Sequence, residues 1–192
     1  MARKVTEQRA RQVAKELLSF REWNLDSLTN SGQCLEENEY KNYKHLNEIF
    51  KGKSKTGKGD GYPDFLMVNS SGGKKPILIL ETKASNSQIN EAVSEAIHYG
   101  NACLEKGHEV IVVGVAGGDK EICTVQVKRL VKSDWVNLTL EGKSIDWIPS
   151  PEQTQRIIES AGQTEVQAEK PSSKILAEQA ERRNEILRGC KI

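Results

Sequence analysis

The sequence predicts an α/β domain in which a central mixed sheet of about four to five strands is flanked by helices. Two short aliphatic runs, 65–69 and 77–82, lie on either side of a turn-forming stretch and predict a β-hairpin. An apolar helical face over 84–106 is followed by the uninterrupted aliphatic run 110–115. A strand–helix–strand unit of this kind is right-handed and places its two strands parallel.

The part of the chain before the hairpin predicts two helices. Thr6 is a plausible N-cap for the first helix, and Val13 and Leu17 recur at helical spacing in a buried stripe that ends near Trp23. The apolar residues of 36–50 have a roughly helical period and predict the second helix.

Beyond the crossover, the chain predicts one more strand, a covering segment and two helices separated by a polar linker. These are a strand over 122–130, an irregular segment or last strand over 134–147, a helix from 149 to about 160, a linker over 162–173 and a helix over 174–188. The last helix has too few apolar residues to bury itself, so we expect it to dock onto another domain or subunit. We therefore divide the chain into a domain over 1–148 and a helical and linker extension over 149–192.

Length and composition exclude several classes of protein. A chain of 192 residues can form a core that buries about 70% of its unfolded surface. No apolar run approaches the roughly 18 residues that span a membrane, and the first residues do not resemble a signal sequence, so we expect a cytoplasmic protein with no membrane contact. The four cysteines lie far apart without a Cys-x-x-Cys pair, and they predict neither a zinc site nor a disulfide framework.

Clustered lysines are more informative than the formal net charge of +1. Lys53, Lys55 and Lys58 lie in a Gly-rich loop that leads into the first strand of the hairpin, and Lys74 lies in the hairpin turn. Positive loops at these places are candidates for contacts with a phosphate backbone, and the alternative for each is a solvated surface loop.

The same Gly-rich loop resembles a nucleotide-binding P-loop only superficially. Gly59 stands where Ser or Thr would hold Mg²⁺, and no helix is predicted to follow. We therefore expect no nucleotide to bind in this domain.

An acidic residue lies at one end of each strand of the hairpin. Asp64 precedes the first strand and Glu81 ends the second, so antiparallel pairing brings them together. Lys83 is two residues beyond Glu81 and points to the same face. Two carboxylates about 4 Å apart repel by roughly 4 kcal/mol at an effective dielectric near 20, and a cation or metal relieves that repulsion.

This arrangement fits metal-assisted phosphodiester hydrolysis. Mg²⁺ takes one or two carboxylates, with water and phosphate oxygens at its other positions. A lysine beside such a site can hold or deprotonate the attacking water. We expect the positive charge of the metal to lower the pKa of Lys83. The alternative is an ordinary pair of surface charges at a strand end.

Pro63-Asp64 followed by Glu81-Thr82-Lys83 resembles the PD-(D/E)xK nuclease signature. The flanking residues are most similar to the endonuclease domains of type I restriction subunits and of fused restriction–modification enzymes. The resemblance implies a restriction-endonuclease-like core with the order α-β-β-β-α-β. It also implies cleavage of double-stranded DNA with Mg²⁺, for which Mn²⁺ would substitute, and docking of the C-terminal helix onto a methyltransferase or motor domain.

The resemblance also assigns roles to individual residues. It implies that Asp64 and Glu81 hold the metal and that Lys83 is catalytic. Many members of the family add an acid from the first helix, for which Glu7 is the candidate, although Glu7 could instead stabilise the helix N-terminus.

The crossover helix departs from the family at one position. Type I restriction subunits carry a Gln four residues before a Tyr on this helix, whereas here Glu95 precedes Tyr99. Gln88 is another possible polar neighbour of the site. Two alternatives remain open: a catalytically inactive nuclease-like domain that binds DNA or a partner, and a nuclease acting in repair or on structured or single-stranded substrates.

Overall fold

A computed structural model describes residues 6–70, 73–160 and 162–166 of the chain. Within these residues there are four α-helices and eight β-strands, together with three short 3₁₀ turns. In chain order the helices and strands are α1 (Glu7–Phe20), β1 (Cys34–Glu36), α2 (Lys44–Phe50), β2 (Phe65–Val68), β3 (Pro76–Lys83), α3 (Ile89–Glu105), β4 (Ile111–Ala116), β5 (Thr124–Val131), β6 (Asp134–Asn137), β7 (Thr139–Leu140), β8 (Lys143–Ser144) and α4 (Pro151–Glu159).

Six of the strands form one mixed sheet, which confirms the α/β class. Their order across the sheet is β1-β2-β3-β4-β5-β6, with β3 and β4 parallel and every other neighbouring pair antiparallel. The prediction of four to five strands was therefore too low. The succession α1-β1-β2-β3-α3-β4, with α2 inserted between β1 and β2, contains the order α-β-β-β-α-β.

The predicted helix over 36–50 is wrong in its first half. Residues Cys34–Glu36 form the edge strand β1, and Glu37–Asn42 form a 3₁₀ turn before α2 begins. The buried Tyr40 explains the misleading period, because its hydroxyl donates to the carbonyl of Pro63 at 3.0 Å and its ring packs edge-on against Phe50. The apolar spacing reflects several short segments packed on one sheet rather than one continuous helix.

Helices cover the sheet on both faces. Leu18 of α1 and Ile157 of α4 belong to a buried cluster on one face, while Phe50 of α2 and Tyr99 of α3 belong to a second cluster on the other. Helix α3 lies close against β4, since a Cβ added at Gly114 would meet Val93 at 2.6 Å. The sheet is thus buried at its centre, and side chains near the strand ends can form a site.

The packed unit continues through the described residues after 148. Arg129 of β5 is 4% exposed and donates from Nη1 to the carbonyls of Ile157 (2.6 Å), Ser160 (3.0 Å) and Gln163 (2.6 Å), which holds the end of α4 to the sheet. The amide of Val166 donates to β7, so the described start of the predicted linker is packed. The helix predicted over 174–188 lies outside the described residues. In the part of the chain that the structure describes, no helix has the length and apolar character to cross a membrane.

Candidate active site

The β2–β3 hairpin places Asp64 beside Glu81. Phe65 pairs with Leu80, and extending this register by one residue sets the two acids opposite each other. The amide of Asp64 donates to Glu81 Oε1 at 3.0 Å. Asp64 Oδ2 in turn accepts from the amide of Thr82 at 2.8 Å and from its hydroxyl at 2.6 Å. Side chains therefore replace main-chain pairing at this end of the hairpin.

Each of the two carboxylates has one oxygen fixed by these donors and a second oxygen that faces a cation. Lys55 Nζ lies 3.0 Å from Glu81 Oε2, and Arg11 Nη1 lies 3.5 Å from Asp64 Oδ1. Oriented carboxylate oxygens are the ligands that Mg²⁺ takes from proteins. This donor set therefore fits a hard divalent cation at Asp64 and Glu81.

Glu81 is deeply buried for a charged side chain, with 1% of its surface exposed. Burial first and the neighbouring charge of Asp64 second raise the pKa of Glu81 to about 8, against the opposing effect of Lys55. Binding of a divalent cation requires the ionised carboxylate, so it must displace this proton.

Lys83 contacts two carboxylates of α3. Its Nζ lies 2.6 Å from Glu95 Oε1 and 3.0 Å from Glu91 Oε1. Burial acts to lower the pKa of Lys83, but the hydrogen bonds to Glu95 and Glu91 outweigh it, and the net direction is upward. The lowering expected beside a bound metal stays a prediction, because the upward direction reflects two carboxylates in contact with this ammonium.

The three predicted polar neighbours differ in how they meet the site. Glu95 bridges Lys83 and Lys55, the latter at 2.5 Å, and Lys55 also lies over the ring of buried Tyr99, 5.6 Å from its centroid. Burial alone would raise the pKa of Glu95, but the hydrogen bonds from the two lysines outweigh it and lower the pKa. Gln88 is more distant and contacts Glu91, at 3.1 Å.

Helix α1 meets the site through a residue that sequence reasoning did not select. Glu7 is exposed in the first turn of α1, and no hydrogen bond or ion pair among the described residues joins it to Asp64 or Glu81. Arg11, four residues later, contacts both the side chain and the carbonyl of Asp64, the carbonyl at 3.3 Å. The available signal was helical spacing, because residues four apart lie on one helix face.

Three of the four lysines predicted to bind DNA are engaged with the protein itself. Lys53 pairs with Glu105 at 2.5 Å, Lys55 holds the two site glutamates, and Lys74 donates to the carbonyl of Leu28. Lys58 is exposed, and it makes no ion pair with any residue that the structure describes. Of the four, it is the one whose charge is directly accessible to a phosphate.

The loop over 51–61 lies against α3. The carbonyl of Lys53 is 2.8 Å from His98 Nε2, and the amide of Gly61 donates to Phe50 at 2.9 Å. A Cβ added at Gly61 would lie 2.2 Å from the carbonyl of Lys53 and 2.7 Å from the ring of Tyr99. Glycine is thus required where the loop rejoins the hairpin.

Comparisons of the chain with family models, with curated proteins and with solved structures each found no match. Among residues 6–70, 73–160 and 162–166 there is no group of three or more His, Cys, Asp and Glu side chains arranged to hold a metal. The candidate site is accordingly defined by the pair Asp64 and Glu81, with Lys83, Lys55 and Arg11 around it.

Proposed function

We propose that this chain is a Mg²⁺-dependent endonuclease that hydrolyses phosphodiester bonds of double-stranded DNA, as part of a restriction–modification system. The observation that carries the proposal is the pairing of Asp64 with the buried Glu81 at one end of the hairpin, with Lys83 on the same strand. The α-β-β-β-α-β succession of elements supports it. A buried carboxylate next to a second acid is an unfavourable arrangement, and a metal-dependent reaction gives a reason to keep it.

The proposed metal ligands are Asp64 and Glu81, without Glu7. Asp64 Oδ1 and Glu81 Oε2 are the oxygens that would take the cation in place of Arg11 and Lys55, because Thr82 and the amide of Asp64 occupy the other two. When bound, Mg²⁺ or Mn²⁺ polarises the scissile phosphate and lowers the pKa of a bound water. The donors from Thr82 and from the hairpin backbone keep both carboxylates oriented for this task.

Lys83 is proposed to hold the attacking water. Its ammonium is paired with two carboxylates, so it acts first as a hydrogen-bond donor. Glu95 and Glu91 position that ammonium beside the strand end. A fixed positive donor at this point stabilises the negative charge that develops on the phosphate oxygens.

DNA would be held through its phosphates. Lys58 is an exposed cation of the 51–61 loop that makes no ion pair with any described residue, and this loop enters the hairpin directly at Asp64. Contacts of this kind are independent of base sequence and weaken as salt rises. We further propose a cytoplasmic protein whose segment 174–188, predicted from sequence to be helical, docks onto a methyltransferase or motor domain.

A plasmid cleavage assay with Mg²⁺ or with EDTA tests the proposal. Wild-type protein should cleave with Mg²⁺ alone, and Asp64→Asn should lose at least about 100-fold in rate. Asp60→Asn is the matched control, because Asp60 is an exposed acid of the preceding loop that accepts from the amide of Gly52. Cleavage that persists in EDTA or in Asp64→Asn would refute the proposal.

A catalytically inactive nuclease-like domain that binds DNA or a partner is the second candidate. It is favoured by one observation: the charges of the site are already balanced by the protein, with Arg11 on Asp64, Lys55 on Glu81 and Glu95 on Lys83. Calorimetric titration with Mg²⁺ and Mn²⁺ distinguishes the two functions. A domain of this second kind would bind DNA without taking up either ion.

A further inference from the structure

We propose that Lys55 is an internal competitor of the divalent cation: its ammonium occupies the site glutamates, and cation binding releases it together with its loop. This inference deepens the proposed function, because it rests on the metal site assigned there to Asp64 and Glu81. In the closed arrangement, Lys55 contacts Glu81 and Glu95; in the open arrangement, the cation has taken its place and Lys55 is in solvent.

The first observation is that Lys55 uses the oxygen that a cation needs. Its Nζ lies 3.0 Å from Glu81 Oε2, and Glu81 Oε1 already accepts the amide of Asp64. The same ammonium lies 2.5 Å from Glu95 Oε2. A divalent cation and an ammonium repel each other strongly at such separations, so the two cannot share the Glu81 oxygen.

The second observation is that the contact is made across the fold by an exposed loop. Lys55 is separated from Glu81 by 26 positions and from Glu95 by 40. The loop is held at its two ends, by Lys53 against α3 and by Gly61 against α2. Between these anchors, residues 55–60 are exposed, and their main-chain hydrogen bonds stay within the loop: the amide of Ser54 donates to Gly59 at 3.2 Å, and the amide of Gly57 donates to Ser54 at 2.9 Å. Lys55 can therefore leave the site without disturbing the buried core.

The glycines of the loop support such a movement. Gly57 and Gly59 have φ values of +73° and +83°, and both face open space. Glycine adopts this region and its mirror image about equally well, so the loop can change conformation between its anchors at low steric cost. The side chain of Lys55 is already 37% exposed, so the departing ammonium has a path to solvent.

Release from the site would make the positive charge of Lys55 available to DNA. In the closed arrangement, the positive charge of Lys55 forms ion pairs with Glu81 and Glu95. Once displaced, it lies on the same exposed loop as Lys58, where it can contact phosphate. Cation binding and DNA binding should therefore favour each other, and the coupling is reciprocal by linkage.

The first test titrates Mg²⁺ into the full chain by calorimetry, without DNA, at several pH values from 8 to 9.5. The affinities at the upper end are compared, because loss of Lys55 raises the pKa of Glu81 further and at lower pH a proton would compete with the cation. Lys55→Met should bind Mg²⁺ at least about fivefold more tightly than wild type, the factor that corresponds to an ion pair of about 1 kcal/mol. Lys55→Arg keeps the competing charge and should bind no more tightly than wild type. Lys51→Met is the control, since Lys51 is exposed in the same loop and pairs with Glu48 outside the site.

The second test measures the release in the wild-type chain. Labelling of lysines by an amine-reactive reagent, read by mass spectrometry, should increase severalfold at Lys55 when Mg²⁺ is added and stay constant at Lys51. Circular dichroism and urea unfolding of each variant verify that it is folded.

The outcomes distinguish a failure of the competitor role of Lys55 from a failure of the metal site itself. If wild type binds Mg²⁺ but Lys55→Met binds it equally or less tightly, or if labelling of Lys55 does not rise, the competitor role is overturned and the metal site stands. If neither wild type nor Lys55→Met binds Mg²⁺, the proposed function falls together with the inference. Binding by Lys55→Met alone would support both.

Discussion

Replacing Glu81 with Gln should alter how stability depends on pH. The pKa of Glu81 is about 8 in the folded chain, against an ordinary carboxyl value of 4.5 in the unfolded chain. Between about pH 4.5 and pH 8, the folded state therefore holds a proton on Glu81 that the unfolded state has already lost. Because the folded pKa is the higher one, the stabilising effect of this proton is complete below about pH 4.5 and is lost as pH rises through 8.

The magnitude follows from the proton count. Each unit of pH over which one extra proton is held in the folded state changes stability by about 1.4 kcal/mol. Between pH 6 and pH 9, the free energy of unfolding of wild type should fall by about 2–3 kcal/mol through the ionisation of Glu81, and most of this loss should occur below pH 8. The side chain of the variant Glu81→Gln cannot ionise, so the variant escapes this loss. From pH 6 to pH 9, its free energy of unfolding should therefore rise relative to that of wild type by about the same amount.

Urea unfolding of both proteins at several pH values measures this difference. Taking the difference between them removes the titration of every group that the substitution leaves unaffected. Wild-type and variant curves that run parallel from pH 6 to pH 9 would refute the assignment of a buried, protonated Glu81.

Three further predictions concern other parts of the molecule. Lys83→Ala should remain folded and bind DNA, yet lose at least about 100-fold in cleavage rate, because removing one positioned donor to the charge that develops in the transition state costs on this scale; unchanged cleavage would remove Lys83 from the mechanism. Lys58→Met should make the dependence of log affinity on log salt shallower by about 0.9, the value for one lost phosphate contact; an unaltered slope in filter-binding measurements would place Lys58 outside the interface. Arg129→Leu should reduce the free energy of unfolding by roughly 2–4 kcal/mol, because three carbonyls lose a charged donor. A loss under about 1 kcal/mol in urea unfolding would show that these carbonyls find other donors.

The hairpin and its acids were predictable because the information is local. Turn chemistry and period-two geometry decide which residues stand opposite each other, and they bring Asp64 to Glu81. The crossover was equally accessible, because β3, α3 and β4 follow one another and the handedness of such a unit is nearly fixed.

The cations of the site were not predictable in the same way. Lys55 reaches Glu81 from a Gly-rich loop, whose path depends on packing against α3 rather than on periodicity. Arg11 is in contact with Asp64 because of how α1 lies against the sheet, whereas a helical repeat alone gives Glu7 and Arg11 the same face. The short strand β1 was missed for a related reason, since three residues cannot display an alternation.

The terminal rungs of the β2–β3 ladder are made by side chains: Asp64 receives the amide of Thr82, and Glu81 receives the amide of Asp64. Both acids thus complete the architecture of the hairpin whatever chemistry takes place there. A related chain without cleavage activity would still need both acids to pair the end of its hairpin. Within the described part of the chain, the ammonium of Lys83 contacts the carboxylates of α3 and takes no part in pairing the hairpin, so a change at Lys83 would leave these hydrogen bonds intact.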